Sequence, residues 1–309
     1  MDGLIHGPGK WMAKAWGAWD RFWFESARPQ SLILFRPAFA GLLFFYILTR
    51  TPDLMFFYSQ SGVLPTEVME QLMPMGFRLS PLNWIQGDGA VWFCHFALLG
   101  SLGSLAFGWF PSVSACLALF FHISFIHRNM ASAYGIDSIA TFFLLNLALA
   151  GKGGNPLRGS LGFRLSQIQV CVIYFYSGVE KLRGSHWLRG DAVWDVMANN
   201  QQARWDFSWL AGAPTLVALA TWSTLFWEIG FAPLIWIRPL RFPMLAFGVA
   251  LHLGIGTAMS IPYFGLLMIC SYILFLTQDE AQLVRAFLHR GFVKSLKVRR
   301  RSPMSTLSE

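Results

Sequence analysis

The stretch APTLVALATWSTLFWEIGFAPLIW, residues 213–236, contains a single charged side chain, that of Glu228. A bilayer core about 30 Å thick is crossed by roughly 20 residues of α-helix, so this stretch is long enough and apolar enough to span it. Seven further apolar runs lie at about 31–49, 90–110, 112–127, 136–150, 164–182, 242–260 and 262–277. The sequence therefore predicts an all-α, polytopic membrane protein with about eight transmembrane helices.

The composition excludes two broad classes of protein. Of the 309 residues, 55% are hydrophobic and only 13% are charged, whereas soluble domains carry about 25% charged residues. An ordinary soluble enzyme is therefore excluded, and the apolar content is too high for a disordered chain. The net charge of +8 does not indicate a nucleic-acid partner, because the charged residues cluster at the ends of the apolar runs, as membrane topology requires.

The N-terminal segment predicts an amphipathic helix over about residues 9–25. Trp16, Trp19 and Trp23 recur on one face, while Lys14 and Arg21 fall on the opposite face. This pattern is typical of a helix that lies in the membrane interface, although packing against the protein's own cytoplasmic side explains it equally well. We assign residues 1–28 to this interfacial helix, 29–278 to a transmembrane domain and 279–309 to a basic cytoplasmic tail that contacts anionic lipid through residues 294–301.

Basic residues predict the orientation of the chain. They concentrate in the N-terminal segment, in the 151–164 loop, in the 237–241 turn and in the tail. Since cytoplasmic loops are enriched in Lys and Arg, we expect both termini in the cytoplasm and the long loops at about 50–89 and 183–212 on the outer side. Loops of that size on one face usually build a cover or a mouth.

Two ionisable residues are predicted near the middle of the bilayer. Glu228 and His252 flank the short 238–241 turn at similar distances, so the two spans form an antiparallel hairpin. At 1.5 Å rise per residue both lie roughly 15 Å from the inner surface and could pair. Such a pair is either a buried structural lock or a group that relays protons or orients a ligand.

The fifth predicted span carries a polar or small stripe that ends at its outer boundary. Residues at helical spacing form this stripe: Gln167, Cys171, Tyr174, Gly178 and Lys181. They share one face of an otherwise apolar helix and should face the protein interior. Partial burial at the outer end would make Lys181 available as a base, while the alternative is an interfacial lysine that extends its amine to water.

Three more candidates come from neighbouring spans. His122 and Asn129 share one face of the third span, and Asp137 opens the fourth. If these spans surround one cavity together with Lys181, that cavity opens outward and is lined by acid, base and hydrogen-bonding groups. The four cysteines lie far apart inside apolar runs, and no metal-binding motif occurs, so we expect no metal.

Five stretches, in this order, resemble the HTTM family of horizontally transferred transmembrane proteins, bacterial relatives of the membrane domain of vitamin K-dependent γ-glutamyl carboxylase. They are FRPAFAGLLFF, FFYSQSGVLP, HRNMASAYGIDSIATFFLLNLAL, QVCVIYFYSGVEKLRGSHWLRGDAV and FWEIGFAPLIWIRPLRFPMLAFGVALHLGIG. The resemblance extends over about residues 29–277. It implies a multi-pass protein of the bacterial cytoplasmic (inner) membrane.

The resemblance also implies a chemistry. In the carboxylases a reduced naphthoquinone reacts with oxygen, and the alkoxide formed removes a proton from the γ-carbon of a glutamate, which then takes up carbon dioxide. The family's G-V-x-K-L motif corresponds to Gly178–Leu182, which makes Lys181 the candidate catalytic base. The motif around His252 resembles the family's Phe-His pair, and Glu228 resembles the acidic residue of the preceding segment.

The resemblance thus implies a quinol-dependent epoxidase or carboxylase, with a quinone or lipid as ligand and a peptide or protein substrate on the outer side. His252, Glu228, Tyr174, Asn129, Asp137 and His122 would line the cavity or bind the cofactor. We expect no counterpart in this sequence of the luminal domain that binds the substrate in the animal enzyme. The alternative expectation is therefore a non-catalytic membrane protein that binds lipid, a peptide or a partner, for example in peptide maturation or immunity.

Overall fold

The computed structural model describes residues 8–24, 30–72, 80–85, 87–151 and 156–299. Within them the chain is helical, and the only strand-like contact is the isolated bridge between Ala203 and Met259. The α-helices in chain order are α1 Pro8–Phe24, α2 Gln30–Thr49, α3 Leu54–Tyr58, α4 Thr66–Leu72, α5 Asp88–Phe107, α6 Pro111–Arg128, α7 Gly135–Ala150, α8 Pro156–Lys181, α9 Ser185–Arg189, α10 Ala192–Ala198, α11 Pro214–Leu234, α12 Arg238–Ala258, α13 Pro262–Ser271 and α14 Gln278–Arg299. Short 3-10 turns lie at Pro81–Asn83, Met130–Ser132, Ser208–Gly212 and Tyr272–Phe275.

A helix lies at each of the eight predicted spans, which confirms the all-α, multi-pass prediction. Four helices in the described part of the chain, α2, α5, α11 and α12, are long and apolar enough to cross a membrane. A fifth candidate is the pair Pro262–Phe275 and Gln278–Leu288, which meet at a bend of 120°. Helix α7 is apolar but shorter, with 16 residues. Length and apolarity therefore support four to five spans and do not confirm the predicted count of about eight.

Contacts between sequence-distant residues define two ends of the helical bundle. At the end where α2 and α8 begin, the Gln30 backbone N–H donates to Gln278 Oε1 at 3.0 Å and Arg241 pairs with Glu280. We call this the basic end. At the opposite end the Trp205 indole N–H donates to the Thr257 carbonyl at 3.0 Å. Successive apolar helices run alternately between the two ends, as in an antiparallel bundle.

The core between the helices is rich in aromatic rings. Phe35 and Phe39 on α2 pack against Phe143 on α7 with ring centroids 5.1 and 5.5 Å apart. Large apolar side chains on the outward faces remain exposed, among them Phe226 at 71% and Phe242 at 77%. Such a surface suits hydrocarbon rather than water, because soluble monomers rarely expose large contiguous apolar patches.

The two long loops contain short helices that are fastened to the bundle. Arg128, at the end of α6, is 1% exposed and donates hydrogen bonds to the carbonyls of Leu64 and Ser59, each at 3.0 Å. The backbone N–H of Arg204 donates to the Ala258 carbonyl at 2.7 Å. Both loops therefore lie against the opposite end of the bundle, as a cover does.

The N-terminal helix α1 contacts the bundle through its last turn. Arg164 Nε donates to the Phe22 carbonyl at 2.8 Å, and the Phe22 and Trp236 rings are 5.6 Å apart. Trp16 and Trp19 remain 63% and 54% exposed, so the proposed contact with the membrane interface stays a prediction beside the contact with the protein. The predicted boundary at residues 28 and 29 lies outside the described residues, as do the side chains of the basic run at 294–301.

Candidate functional site

Helices α8 and α11 bring Lys181 and Glu228 together. Lys181 Nζ donates to Glu228 Oε1 at 3.0 Å, and Oε2 lies 2.8 Å from Nζ, outside hydrogen-bond geometry. The two side chains are 21% and 10% exposed. The helices approach closely because Gly178, one turn before Lys181, has no side chain: a Cβ there would lie 2.7 Å from Ile229 Cγ1.

Two further groups hold the amine of Lys181 in place. Nζ donates to Ser177 Oγ at 2.6 Å, and it lies 5.1 Å from the centroid of the Trp187 ring on α9. Ser177 lies one turn earlier on the same helix face, so the hydroxyl and the amine meet at i, i+4 spacing. Lys181 is therefore an ion-paired, partly covered residue and not a lysine extended freely into water.

A second polar group lies deeper in the bundle, on the same face of α8. The Tyr174 hydroxyl lies 2.7 Å from His252 Nε2 and 2.6 Å from the Tyr272 hydroxyl. Tyr174 and His252 are 2% and 4% exposed, and the rings of Trp227 and Phe231 pack against Tyr174. His252 Nδ1 is buried and has no hydrogen-bond partner among the described residues.

Glu228 and His252, which could have paired at their similar depth, have different partners. Glu228 pairs with Lys181, and His252 pairs with Tyr174. The physical reason is that α11 packs more extensively on α8 than on its hairpin neighbour α12. A short turn places two helices side by side in sequence, but side-chain packing decides which faces meet. The predicted stripe on α8 is confirmed as inward facing, since Gln167, Cys171 and Tyr174 are all buried.

The remaining candidates form a separate cluster on α2, α6 and α7. Asp137 accepts hydrogen bonds from the Tyr46 hydroxyl at 3.3 Å and from the Tyr134 backbone N–H at 3.1 Å, and its side chain lies 3.8 Å from Arg50. Its backbone carbonyl lies 3.0 Å from His122 Nε2. Asp137 therefore caps the first turn of α7 and neutralises a nearby arginine.

Asn129 lies at the loop side of this cluster. It is 0% exposed and its Nδ2 donates to the Phe57 carbonyl at 2.8 Å, which fastens the first long loop to α6. The adjoining cavity is lined by His122 and Asp137 and has a volume of about 20 Å³, which is room for one water molecule.

The predicted single cavity is therefore not what the described contacts show. His122 and Asp137 line the small cavity, while Lys181 and its neighbours on α8, α11 and α12 form their own cluster. The sequence placed Asn129, Asp137 and Lys181 at the outer ends of their spans, but depth along a helix does not determine the face on which a residue lies. We call Lys181, Ser177, Glu228, Tyr174, His252 and Tyr272 the α8 cluster.

Sequence reasoning missed three members of these contacts. Ser177 could have been found, because it lies four residues before Lys181 on the same helix face. Tyr272 and Trp187 gave no such signal, since they reach the α8 cluster from a 3-10 turn and from a loop helix.

The loop beside Lys181 has its own ionic contacts. Asp191 accepts a hydrogen bond from Arg189 Nε at 3.2 Å and lies 3.0 Å from His186 Nδ1. Partial desolvation raises the pKa of Asp191, but the Arg189 hydrogen bond and charge, together with His186, outweigh it and leave that pKa below its ordinary value. These contacts fasten the end of the short helix α9, whose Trp187 ring lies over the Lys181 amine.

Part of the chain matches the model of a known protein family. Residues 162–279 match the family model of the HTTM domain, a region that contains the whole α8 cluster. No curated protein and no solved structure matches the chain. In the described part of the chain no group of three or more His, Cys, Asp or Glu side chains could hold a metal ion. The chain thus contains a region, residues 162–279, that matches the HTTM domain, and its apolar helices make it a multi-pass membrane protein.

Proposed function

We propose that this protein is a quinol-using, carboxylase-like membrane enzyme whose reactive group is the Lys181–Glu228 pair. The observation that carries the proposal is the hydrogen bond of 3.0 Å between Lys181 Nζ and Glu228 Oε1, at a site that is enclosed by helices yet 21% exposed at the lysine. A base that works on an apolar ligand needs both properties, because it has to be positioned and still reachable.

The pair can hold and move one proton. With the proton on Nζ the two side chains form an ion pair. With the proton on Oε1 both are neutral, and Nζ has a lone pair that can accept a proton from a ligand hydroxyl. Ser177 Oγ, 2.6 Å from Nζ, keeps the amine directed at the same point in either form. Glu228 would then act as the proton store for Lys181.

The chain offers polar partners that fit a reduced naphthoquinone. The buried His252 Nδ1 has no hydrogen-bond partner among the described residues, and an unmet buried nitrogen favours a ligand with a hydroxyl or carbonyl group. Trp187 and Trp227 supply apolar surface near the cluster. When bound, the quinol would supply the oxygen-dependent chemistry that generates a strong base, while Lys181 and His252 would bind and orient it.

The proposal includes the membrane arrangement. We propose eight spans, formed by α2, α5, α6, α7, α8, α11, α12 and the α13 segment, with both termini in the bacterial cytoplasm. The basic end would then face the cytoplasm, and the α8 cluster would lie towards the outer side, where a peptide or protein substrate would reach it. Cysteine accessibility labelling at loop positions on both ends tests this arrangement directly.

The activity test uses the full-length protein in nanodiscs with a reduced naphthoquinone, oxygen and bicarbonate. Mass spectrometry detects the quinone epoxide. We expect epoxide from the unmutated protein and from Arg183→Ala, since Arg183 is 74% exposed and lies just beyond the pair. We expect none from Lys181→Ala. Equal epoxide formation by Lys181→Ala and Arg183→Ala would remove Lys181 from the mechanism.

A second candidate function is a non-catalytic membrane protein that binds lipid, a peptide or a protein partner. The observation that favours it is that the Lys181 amine already donates to both Glu228 Oε1 and Ser177 Oγ, which also describes a structural lock between α8 and α11. Absence of epoxide from folded protein that retains quinone binding, together with a stable partner on purification, would favour this function over the first.

A further inference from the structure

The basic end of the bundle contains a cavity that is distinct from the α8 cluster. Its volume is about 250 Å³, which is smaller than a pocket for a whole drug-sized ligand but sufficient for a small head group. It lies where α8, α11, α12 and α14 meet the first turn of α2. Arg164, Arg238 and Arg241 line it, and none of the described residues that line it is acidic.

The three arginines differ in how far the protein neutralises them. Arg241 pairs with Glu280 at 2.5 Å, and Asp279 adjoins Glu280 in the first turn of α14. Arg164 is held within the protein, since Nη1 donates to Gln167 Oε1 and Nε donates to the Phe22 carbonyl, each at 2.8 Å. Arg238 is exposed and has no ion-pair partner in the described part of the chain. The cavity therefore keeps a positive charge that an anion could neutralise.

Two further features direct polar hydrogen atoms into the cavity. Ser31, which lines it, is 2% exposed, and its hydroxyl has no hydrogen-bond partner among the described residues. Helices α2 and α12 both begin here, with 20 and 21 residues, so the positive ends of their dipoles lie at the cavity. A serine hydroxyl that lines a cavity beside arginines can donate a hydrogen bond to a phosphate oxygen.

The surroundings place the cavity at head-group level. Trp236 lines it and is 41% exposed, and tryptophan prefers the boundary between hydrocarbon and water. Basic pockets between membrane helices are suited to lipid head groups. We infer that this cavity, built by Arg164, Arg238, Arg241 and Ser31, is a binding site for the phosphate of an anionic phospholipid head group.

The test measures binding of phosphatidylglycerol to the full-length protein in detergent by native mass spectrometry, with phosphatidylcholine as the neutral lipid. We expect one phosphatidylglycerol to bind saturably and preferentially. Arg238→Gln should weaken it about fivefold, because one arginine near a lipid phosphate contributes about 1 kcal/mol. Arg204→Gln, the same charge change at the opposite end of the bundle, should leave binding unchanged.

A second variant separates a built site from general attraction of anions by a basic protein. Ser31→Ala removes no charge, and we expect it to weaken phosphatidylglycerol binding about two- to tenfold through loss of one hydrogen bond. Circular dichroism and size-exclusion chromatography confirm that each variant is folded. Equal weakening by Arg238→Gln and Arg204→Gln, no effect of Ser31→Ala, or equal binding of phosphatidylcholine would overturn the inference. Full displacement of the lipid by millimolar inorganic phosphate would overturn the assignment to a lipid source.

Discussion

Substituting Gly178 by alanine tests the close contact of α8 and α11 on which the Lys181–Glu228 pair depends. The added Cβ would lie 2.7 Å from Ile229 Cγ1, 3.1 Å from the Ile229 backbone nitrogen and 3.3 Å from Glu228 Cβ. The isoleucine side chain could rotate, but the other two atoms belong to the frame of α11. The helix must therefore move away from α8 by a few tenths of an ångström or more.

The magnitude follows from two opposing effects. Overfilling a packed interface costs about 1–3 kcal/mol, and replacing a helical glycine by alanine returns about 1 kcal/mol. We expect Gly178→Ala to lower the free energy of unfolding by up to about 2 kcal/mol. Gly254→Ala is the matched control, because nothing lies within 4 Å of a Cβ at that position, and it should raise the free energy of unfolding by up to about 1 kcal/mol.

The assay is reversible unfolding in mixed detergent micelles, followed by circular dichroism, on both variants side by side. The predicted gap between the two variants is about 1–3 kcal/mol, because the gain from replacing a helical glycine is common to both and only Gly178→Ala overfills a packed interface. If Gly178→Ala is as stable as Gly254→Ala, then α8 and α11 do not approach as described, and the argument for the Lys181–Glu228 pair loses its structural basis.

Three further predictions concern the same region. In a double-mutant cycle, Lys181→Met and Glu228→Gln should each lower the free energy of unfolding by about 2 kcal/mol, a value between those typical of exposed and of fully buried ion pairs. The double variant should lose less than the sum of the two single losses. Strict additivity would show that the residues do not interact. Tyr174→Phe should lower the free energy of unfolding by about 1–3 kcal/mol, because it leaves the buried His252 without its hydrogen-bond partner. Tyr176→Phe, at an exposed tyrosine, should leave the free energy of unfolding unchanged. Equal losses in the two variants would contradict this prediction. The Asp191 carboxylate has a lowered pKa, so its contribution to the stability of α9 is fully present above about pH 4, the ordinary pKa of an aspartate. This contribution is lost as the pH falls through the folded pKa. Hydrogen-exchange protection factors of the α9 amides that do not fall on acidification would argue against it.

Several features were predictable because they depend on residues close together in sequence. The apolar runs gave a helix at each predicted position, since hydrogen bonds within a helix are local and the bilayer demands a set length. The stripe on α8 was predicted to face inward, and Tyr174 is indeed 2% exposed. The motif Gly178–Leu182 was part of the resemblance to the HTTM family, and residues 162–279, which contain it, match the HTTM domain.

Other features depended on which helix faces meet. Equal depth suggested that Glu228 and His252 could pair. Instead two residues of α8 are their partners: Lys181 bonds to Glu228, and Tyr174 bonds to His252. Asp137 was expected beside Lys181, yet it caps α7 and meets Arg50 in a separate cluster. A one-dimensional pattern gives the height of a residue along a helix, but not the rotation of its helix relative to a neighbour.

The amino-acid sequence by itself therefore determined that this protein lies in a membrane and that it is helical, because composition and local periodicity carry that information. Only the tertiary structure decided the partner of each polar side chain. The ion pair of Lys181, the unmet nitrogen of His252 and the arginine-lined cavity at the basic end all arise between helices distant in sequence. Their geometry is fixed by close packing of whole helix faces, which no single segment encodes.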